Sequence, residues 1–443
     1  MPRLWSIIRQ KPVRAAARAS LQTSAALPTS GATSIDNSEG ASQAVAELLD
    51  SLDVALAQIS LEDDLKAQFT AQLERLERKA SSYENSSLDC CSSKEPWICT
   101  DGMANLIMKA WICAETVYEQ DIAASTEETK STGLNIEWSL ASSANGNVKA
   151  TTLTTFVAPP PSDSRAESTT YLIIAVRGSA STVDHLVNLN GEARDASTLF
   201  KSMELAPGFG DQPLKLLAHA GFLNSARELL APVSAQIEKQ LNKSRKFNIL
   251  LTGHSAGGAV ATLLHLALRV KFAGVSFSCI TFGSPPVARF VSTEDRNALD
   301  RVMAQAPILN IINEYDLVPR LDAGYLRSLI RLYNSGDLNS SGEDTFAAGG
   351  ISEKRWPLPA PDLQHIGPIV VLKTELPDLK VDSSKPSQVR TKVTAWSISS
   401  ESLSDLVFCQ LGVHRRKYYR QKIEQLAECD DGSVSGMDFK TDI

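Results

Sequence analysis

Apolar residues change their spacing several times along the chain, and each change marks an element. Between residues 42 and 80 the spacing is helical. Val45, Leu48, Leu49, Leu52, Leu56 and Ile59 recur at steps of three and four, which puts them on one face of a helix. Ser60 followed by Asp63 reads as the cap of a second helix, carrying Leu65, Phe69, Leu73 and Leu76. The expected product is a helical hairpin over 42–80. Its apolar stripe needs a partner surface, on the main domain or on another chain. Ser81 to Ser93 is polar, and 81–95 reads as a linker.

From 96 to about 430 the pattern alternates. Met103 to Ala114 reads as a helix. Leu134 to Leu140 and Val148 to Phe156 read as strands around a turn at Ala144–Asn147. Tyr171 to Val176, Phe247 to Leu251, Val275 to Phe282 and Ile308 to Ile312 are short, almost unbroken apolar runs. Helical runs lie between them at Leu223–Leu241 and Gly257–Val270. Strands without alternation must be covered on both faces. The expected fold is therefore α/β: a mostly parallel sheet with helices on both faces, plus the N-terminal helical appendage. Ile369–Lys373 and Lys392–Ile398 add strands, and Arg415–Ala427 closes the domain as a helix. The last residues, 431–443, form a polar tail.

Composition supports a large folded domain. Of 443 residues, 43% are hydrophobic and 21% charged, so wholesale disorder is excluded. Lys and Arg number 44 against 51 Asp and Glu, a net charge of −7, which argues against nucleic acid as partner. No apolar stretch reaches the ~18 residues of a membrane-spanning helix. The seven cysteines follow no zinc or redox spacing, and no metal is expected. The cluster Cys90, Cys91, Cys99 and Cys113 leaves room for one local disulfide in an oxidising compartment; a reduced, intracellular and cytoplasmic chain is the plainer reading. Residues 1–35 hold no acid but carry Arg3, Arg9, Lys11, Arg14 and Arg18, then frequent Ser and Thr. The segment 1–41 thus reads as a disordered basic tail or a transit-like one, the latter implying mitochondrial import.

One pentad carries chemistry. Gly253, His254, Ser255, Ala256 and Gly257, with Gly258 behind, stand between a strand and an apolar helix. A serine on such a turn is held in a strained conformation, and the helix must pass close to the strand, so glycine is needed two positions to either side. The hydroxyl then stands at the sheet edge near a helix N-terminus. A serine needs a base to remove its proton, and the base needs an acid to orient it. Asp316 follows the strand Ile308–Ile312 on the same edge and is the best acid. Asp322 is its neighbouring competitor, Asp295 and Asp300 lie on a polar helical run, and Asp362 sits too close to His365 in sequence. Two histidines lie far enough downstream. His414 stands at a loop-to-helix junction and is preferred as the base; His365, before an apolar strand, suits a supporting role but remains the alternative. An oxyanion hole needs two N–H groups. Ala256 supplies one, and the loop Arg177–Gly178–Ser179 after Tyr171–Val176 supplies the other.

These motifs, in this order, resemble the fungal lipase-like family, the class 3 lipases of the α/β-hydrolase superfamily. The likeness covers about residues 100 to 430. It runs through Val176–Arg177–Gly178–Ser179, His219–Ala220–Gly221–Phe222, the serine pentad, Thr281–Phe282–Gly283–Ser284–Pro285, Asp316–Leu317–Val318–Pro319, and His414 ahead of a Tyr-bearing helix. The resemblance implies a triad of Ser255, Asp316 and His414, with Ser179 and Ala256 as oxyanion donors. It implies a lipid ester substrate met at a lipid–water interface, and no cofactor. Two positions depart from the family pattern. His185 stands where many members have Trp, and Asn188 where an Asp often supports the oxyanion serine. A neutral Asn still accepts a hydrogen bond, without charge assistance. Residues 181–208 carry an apolar side, as a lid does in this family; a packed core helix fits the pattern equally well. Residues 334–350, rich in Gly, Ser and Asp, read as a mobile loop. Arg415, Arg416, Lys417, Arg420 and Lys422 form a basic run that reads as a solvated helix face, or as an attraction for anionic lipid. The expected activity is acylglycerol hydrolysis through an acyl-enzyme. A non-lipid carboxylesterase, such as one acting on hydroxycinnamoyl esters, and a non-catalytic hydrolase-fold binding protein are the alternatives.

Overall fold

The computed structural model describes residues 63–119, 131–142, 149–158, 168–178, 192–200, 215–243, 246–272, 274–303, 306–335, 355–375 and 392–428. In chain order the elements are α1 (Asp63–Ala80), β1 (Glu95–Pro96), α2 (Asp101–Thr116), β2 (Leu134–Leu140), β3 (Thr151–Ala158) and β4 (Thr169–Val176). Next come β5 (Ala193–Asp195), β6 (Leu216–His219), α3 (Ala220–Lys243), β7 (Asn248–His254), α4 (Ala256–Lys271), β8 (Ser276–Phe282) and β9 (Ala288–Phe290). The chain continues with α5 (Thr293–Met303), β10 (Ile308–Asn313), α6 (Ala323–Asn334), β11 (Ile369–Glu375), β12 (Lys392–Ile398), α7 (Ser400–Ser404) and α8 (Arg416–Glu428).

Nine strands form one sheet in the order β1-β12-β11-β10-β8-β7-β4-β3-β2. Its centre, β11-β10-β8-β7-β4, is parallel throughout. Both margins are antiparallel. The unbroken apolar runs of the sequence are explained by what lies on either side. Leu172, Ile174, Val176, Ile249 and Leu251 face a core shared with α3 and α4. Ile173, Ala175, Leu250, Ile280 and Ile311 face the opposite core, shared with α2 and α8. The central strands are buried over most of their length because successive side chains meet helices on alternate faces. Parallel strands also bring all their carboxyl ends to one rim, which is where Ser255, Asp316 and the loop after β4 must emerge. A second sheet, β5-β6-β9, was not legible from spacing, since its strands are only three or four residues long.

The appendage helix α1 finds its partner on the main domain. Leu76 and Ala80 pack with Tyr325, Leu329, Leu332 and Tyr333 of α6. The polar stretch after it is not the free linker expected over 81–95. Asn85 is buried and donates to the carbonyls of Trp356 (3.0 Å) and Asp405 (2.9 Å), while its own amide oxygen accepts from the Trp356 N–H (3.0 Å). Leu88 is fully buried against Ile312, Ile369 and Phe408, and β1 adds an edge strand to β12. A single aliphatic residue, Leu88, among many polar ones hid this strap from hydropathy. Cys90, Cys91, Cys99 and Cys113 are free thiols, so the local disulfide does not form. Among the described residues no helix is long and apolar enough to cross a membrane. Of the segment 181–208, residues 192–200 are described, and there Ala196 and Leu199 join the core. The tail 1–41, the first hairpin helix, the turn 144–147, most of the loop 334–350 and the tail 431–443 lie outside the described residues.

Candidate active site

Strand β7 runs straight into Ser255, which caps α4 with φ 62° and ψ −134°. Positive φ is strained for any residue with a Cβ, and here the surroundings hold it. The Ser255 N–H donates to the Phe282 carbonyl of β8 at 2.8 Å. The flanking glycines are required by contact. A Cβ on Gly257 would stand 2.2 Å from the Val176 carbonyl oxygen, and one on Gly253 would stand 2.5 Å from the Gly257 carbonyl carbon. Gly178 is equally crowded, its notional Cβ 2.3 Å from the Tyr118 hydroxyl and 2.5 Å from the His254 carbonyl oxygen. Strand, helix and the loop after β4 therefore meet at backbone distance around the serine.

His414 reaches this serine from 159 residues away. Its Nε2 accepts from the Ser255 Oγ at 2.7 Å, and its Nδ1 donates to the Asp316 Oδ2 at 2.8 Å. All three side chains are buried. Asp316 leaves β10 through a tight turn in which Tyr315 adopts φ 70°, an unusual conformation for an aromatic residue. Its carboxylate takes two more donors. The Val318 N–H reaches Oδ1 at 2.9 Å, and the Tyr419 hydroxyl reaches Oδ2 at 2.7 Å. Tyr419 in turn accepts from the Asn313 N–H at 3.0 Å. Burial, and then the charge of Asp316, push the Tyr419 phenol well above its ordinary value, so it remains a donor. Gly283, with φ 56°, leaves room for this assembly: a Cβ there would lie 2.7 Å from the Tyr419 hydroxyl and 3.0 Å from the His414 Cε1.

His254 braces His414 from the elbow itself. Its ring stacks on that of His414, centroids 4.7 Å apart, and its Nε2–H donates to the His414 carbonyl at 3.0 Å. Tyr118, just past α2, links the elbow to the loop after β4. Its hydroxyl donates to the His254 carbonyl at 3.3 Å and accepts the Gly178 N–H at 3.0 Å. Ala256 is the first residue of α4, where a helix N–H has no acceptor within its own helix. Ser179, His185 and Asn188 lie outside the described residues.

The competing candidates have other work. His365 donates through Nε2 to the Pro319 carbonyl at 2.8 Å, pinning the turn that follows Asp316, and burial pushes it down to about 4. His265 donates to the Ala306 carbonyl at 3.1 Å and is likewise pushed down to about 4 by burial. Asp322 caps α6, accepting the Tyr325 N–H at 2.7 Å and the Asp362 N–H at 2.9 Å. Asp295 accepts the Lys215 N–H at 2.9 Å on the surface. Sequence reasoning named Gly283 only within the motif Thr281–Pro285 and the tyrosines after His414 only as belonging to its helix, gave neither a role, and did not name Tyr118. The only signal for Tyr419 was its place five residues beyond His414. Among the described residues no group of three His, Cys, Asp or Glu side chains is placed to hold a metal ion.

The family model described as Lipase (class 3) matches residues 173–325, from within β4 to the first turn of α6. A secreted mono- and diacylglycerol lipase of Fusarium solani is 32% identical over 117 residues, 26% of this chain and 30% of that one. A lipase of Rhizomucor miehei is 27% identical over 165 residues, 35% of this chain and 39% of that one. Protein EDS1B of Arabidopsis thaliana is 33% identical over 107 residues, 23% of this chain and 16% of that one. The chain thus spans well under half the length of each of these relatives. Among solved structures, the Rhizomucor miehei triacylglyceride lipase superposes with a TM-score of 0.44 at 17% identity, covering 73% of this chain and 96% of that one. The matched segment holds the serine elbow, Asp316 and the strands that carry them, and over that segment the chain is similar to the class 3 lipases.

Proposed function

We propose that this chain is a serine hydrolase that cleaves carboxylic esters of lipids, with Ser255 as nucleophile, His414 as general base and acid, and Asp316 as the orienting carboxylate. The observation that carries this reading is the unbroken relay from Ser255 Oγ to His414 Nε2 (2.7 Å) and from His414 Nδ1 to Asp316 Oδ2 (2.8 Å), mounted on a strained strand-to-helix turn. Both distances lie in the range of direct proton transfer.

The chemistry follows from the geometry. As Oγ attacks the acyl carbonyl, its proton passes to Nε2, and the Asp316 carboxylate stabilises the imidazolium. The carbonyl oxygen takes up the negative charge beside the Ala256 N–H, which opens α4, with Ser179 as the expected second donor. His414 then returns the proton to the departing alcohol, leaving an acyl ester on Ser255. Water attacks that ester with His414 again as base, and the acid is released. The assembled relay supports catalysis over a vestigial elbow. The segmental likeness to a mono- and diacylglycerol lipase supports a glycerolipid over a hydroxycinnamoyl ester.

The decisive experiment is labelling with a fluorophosphonate probe, followed by product analysis on mono-, di- and triacylglycerols. The wild-type chain is expected to label and to release fatty acid, and Ser255→Ala to do neither. Undiminished labelling of Ser255→Ala would remove the nucleophile from this assignment.

A further inference from the structure

Two arginines converge on one tyrosine beside the relay. Arg177 follows β4 directly, and its guanidinium carbon lies 5.6 Å from the centroid of the Tyr118 ring. Arg416 opens α8, two residues beyond His414, and its guanidinium carbon lies 4.4 Å from the same centroid. Tyr118 is itself bonded to Gly178 and to the elbow, so both guanidinium groups are held on the carboxyl rim of the sheet. Ligands of parallel α/β sheets bind outside that rim. Burial pushes the Tyr118 phenol up to about 12, so it offers the arginines a neutral ring face and no counter-charge.

Neither arginine has a carboxylate partner among the described residues. Both are half-buried, which leaves part of each fork open. The neighbouring cations are differently placed. Arg420 pairs with Glu115, and the Lys422 ammonium donates to the Leu372 carbonyl at 2.8 Å. Of the basic run, Arg420 and Lys422 are thus held elsewhere, while Arg416 lies over the Tyr118 ring. Its start is also unfavourable for the helix. Arg416 and Lys417 open α8 directly after Arg415, with no acid in the first turn, where the positive end of the helix dipole repels cations. A chain with a net charge of −7 thus gathers two arginines, without a carboxylate partner among the described residues, on the tyrosine that bonds its serine elbow. Local rules broken at one place are the mark of a functional demand.

We propose that Arg177 and Arg416 bind the phosphate diester of the substrate head group, making this chain selective for phosphate-bearing glycerolipids over neutral ones. The proposal rests on the serine-hydrolase reading. Two planar forks suit a phosphate because each offers paired N–H donors to its oxygens. A charged surface could attract the protein through the same arginines, so the test separates substrate recognition from recruitment.

The probes are a water-soluble short-chain phosphatidylglycerol and the short-chain diacylglycerol with the same acyl groups, both below the concentration at which they form micelles. Wild type is expected to favour the phosphate ester by about tenfold in kcat/KM, the worth of one charge-assisted hydrogen bond. Arg416→Gln is expected to bring that ratio close to unity, Arg416→Lys to retain part of it, and added salt to lower it in the wild type alone. A role for Arg416 in packing alone would change both rates together and leave the ratio where it was, which overturns the proposal. So would a wild type that shows no preference between the soluble esters yet works faster on diacylglycerol in phosphatidylcholine vesicles once an ether-linked anionic lipid is added. If wild type cleaves neither ester, the hydrolase reading itself falls, and the proposal with it.

Discussion

At the scale of single residues, the site depends on one carboxylate oxygen shared by two donors. Asp316 Oδ2 accepts from His414 and from Tyr419, while Tyr419 also relieves the buried N–H of Asn313. Tyr419→Phe removes one hydroxyl and leaves two groups short of a partner. A hydrogen bond to a charged group contributes about 1.5 to 3 kcal/mol, so kcat is expected to fall roughly 10- to 100-fold, with KM for a soluble ester little changed. Steady-state kinetics on that ester, with circular dichroism to show that the fold persists, checks this. An unchanged kcat would mean that Tyr419 only fills space. The role of Tyr419 was invisible in the sequence for a physical reason: it sits 103 residues from Asp316, and no local pattern encodes a hydroxyl that folds back on a distant acid. Ser255 was legible because its demands are local. The close approaches at Gly253 and Gly257 need glycines at fixed offsets from a strained residue, and an apolar strand and helix flank them. Asp316 was legible because a carboxylate just past a buried parallel strand can only emerge at the rim. His414 required a choice between two histidines. The structure brings His414 to Ser255, while His365 bonds the Pro319 carbonyl.

At the scale of elements, the strap between α1 and α2 is the part of the fold the sequence concealed. Its polar residues look like a linker because they act through hydrogen bonds, which hydropathy does not register. Asn85 satisfies two carbonyls and one N–H on segments that never pair with each other in a sheet, near Trp356 and Asp405. The strap then reaches the rim that carries Asp316. The Leu88 N–H donates to the Glu314 carboxylate at 3.0 Å, two residues before Asp316. Asn85→Ala is expected to destabilise the chain by roughly 3 kcal/mol, because three partly buried backbone groups lose their partner. Ser81→Ala, at an exposed position whose hydroxyl bonds only the Arg78 carbonyl, is expected to stay within about 0.5 kcal/mol of wild type. Urea midpoints of the two variants provide the comparison. Equal midpoints would return the strap to the status of a linker. The short strands β5, β6 and β9 escaped notice for a different reason, since three or four residues are too few to establish a period of two.

At the scale of the whole molecule, the cores that bury the sheet also hold histidines that the fold keeps neutral. His265 sits in α4 against the Ala306 carbonyl, and His365 sits under the turn at Pro319. Burial lowers each from an ordinary value of 6.5 to about 4. In the unfolded chain both take up a proton near pH 6.5; in the folded chain neither does until about pH 4. Between those values the unfolded state binds more protons, so stability rises with pH across the window. Their contribution is complete above pH 6.5 and is lost as the solution is acidified toward pH 4. At pH 5 the loss is about 2 kcal/mol for each histidine. Glu314 and Asp322 work in the other direction. Burial raises both, so their folded forms hold protons more readily and regain stability on acidification. The wild-type curve alone therefore mixes opposing signs, and the comparison must be made between variants. His365→Gln keeps an N–H for the Pro319 carbonyl but cannot titrate. Its stability difference from wild type is expected to shift in its own favour by about 2 kcal/mol between pH 7.5 and pH 5, measured by urea unfolding at both values. A difference that stays constant between the two would mean that His365 is protonated in the native chain, and that its ring does not hold the turn after Asp316 in the neutral form.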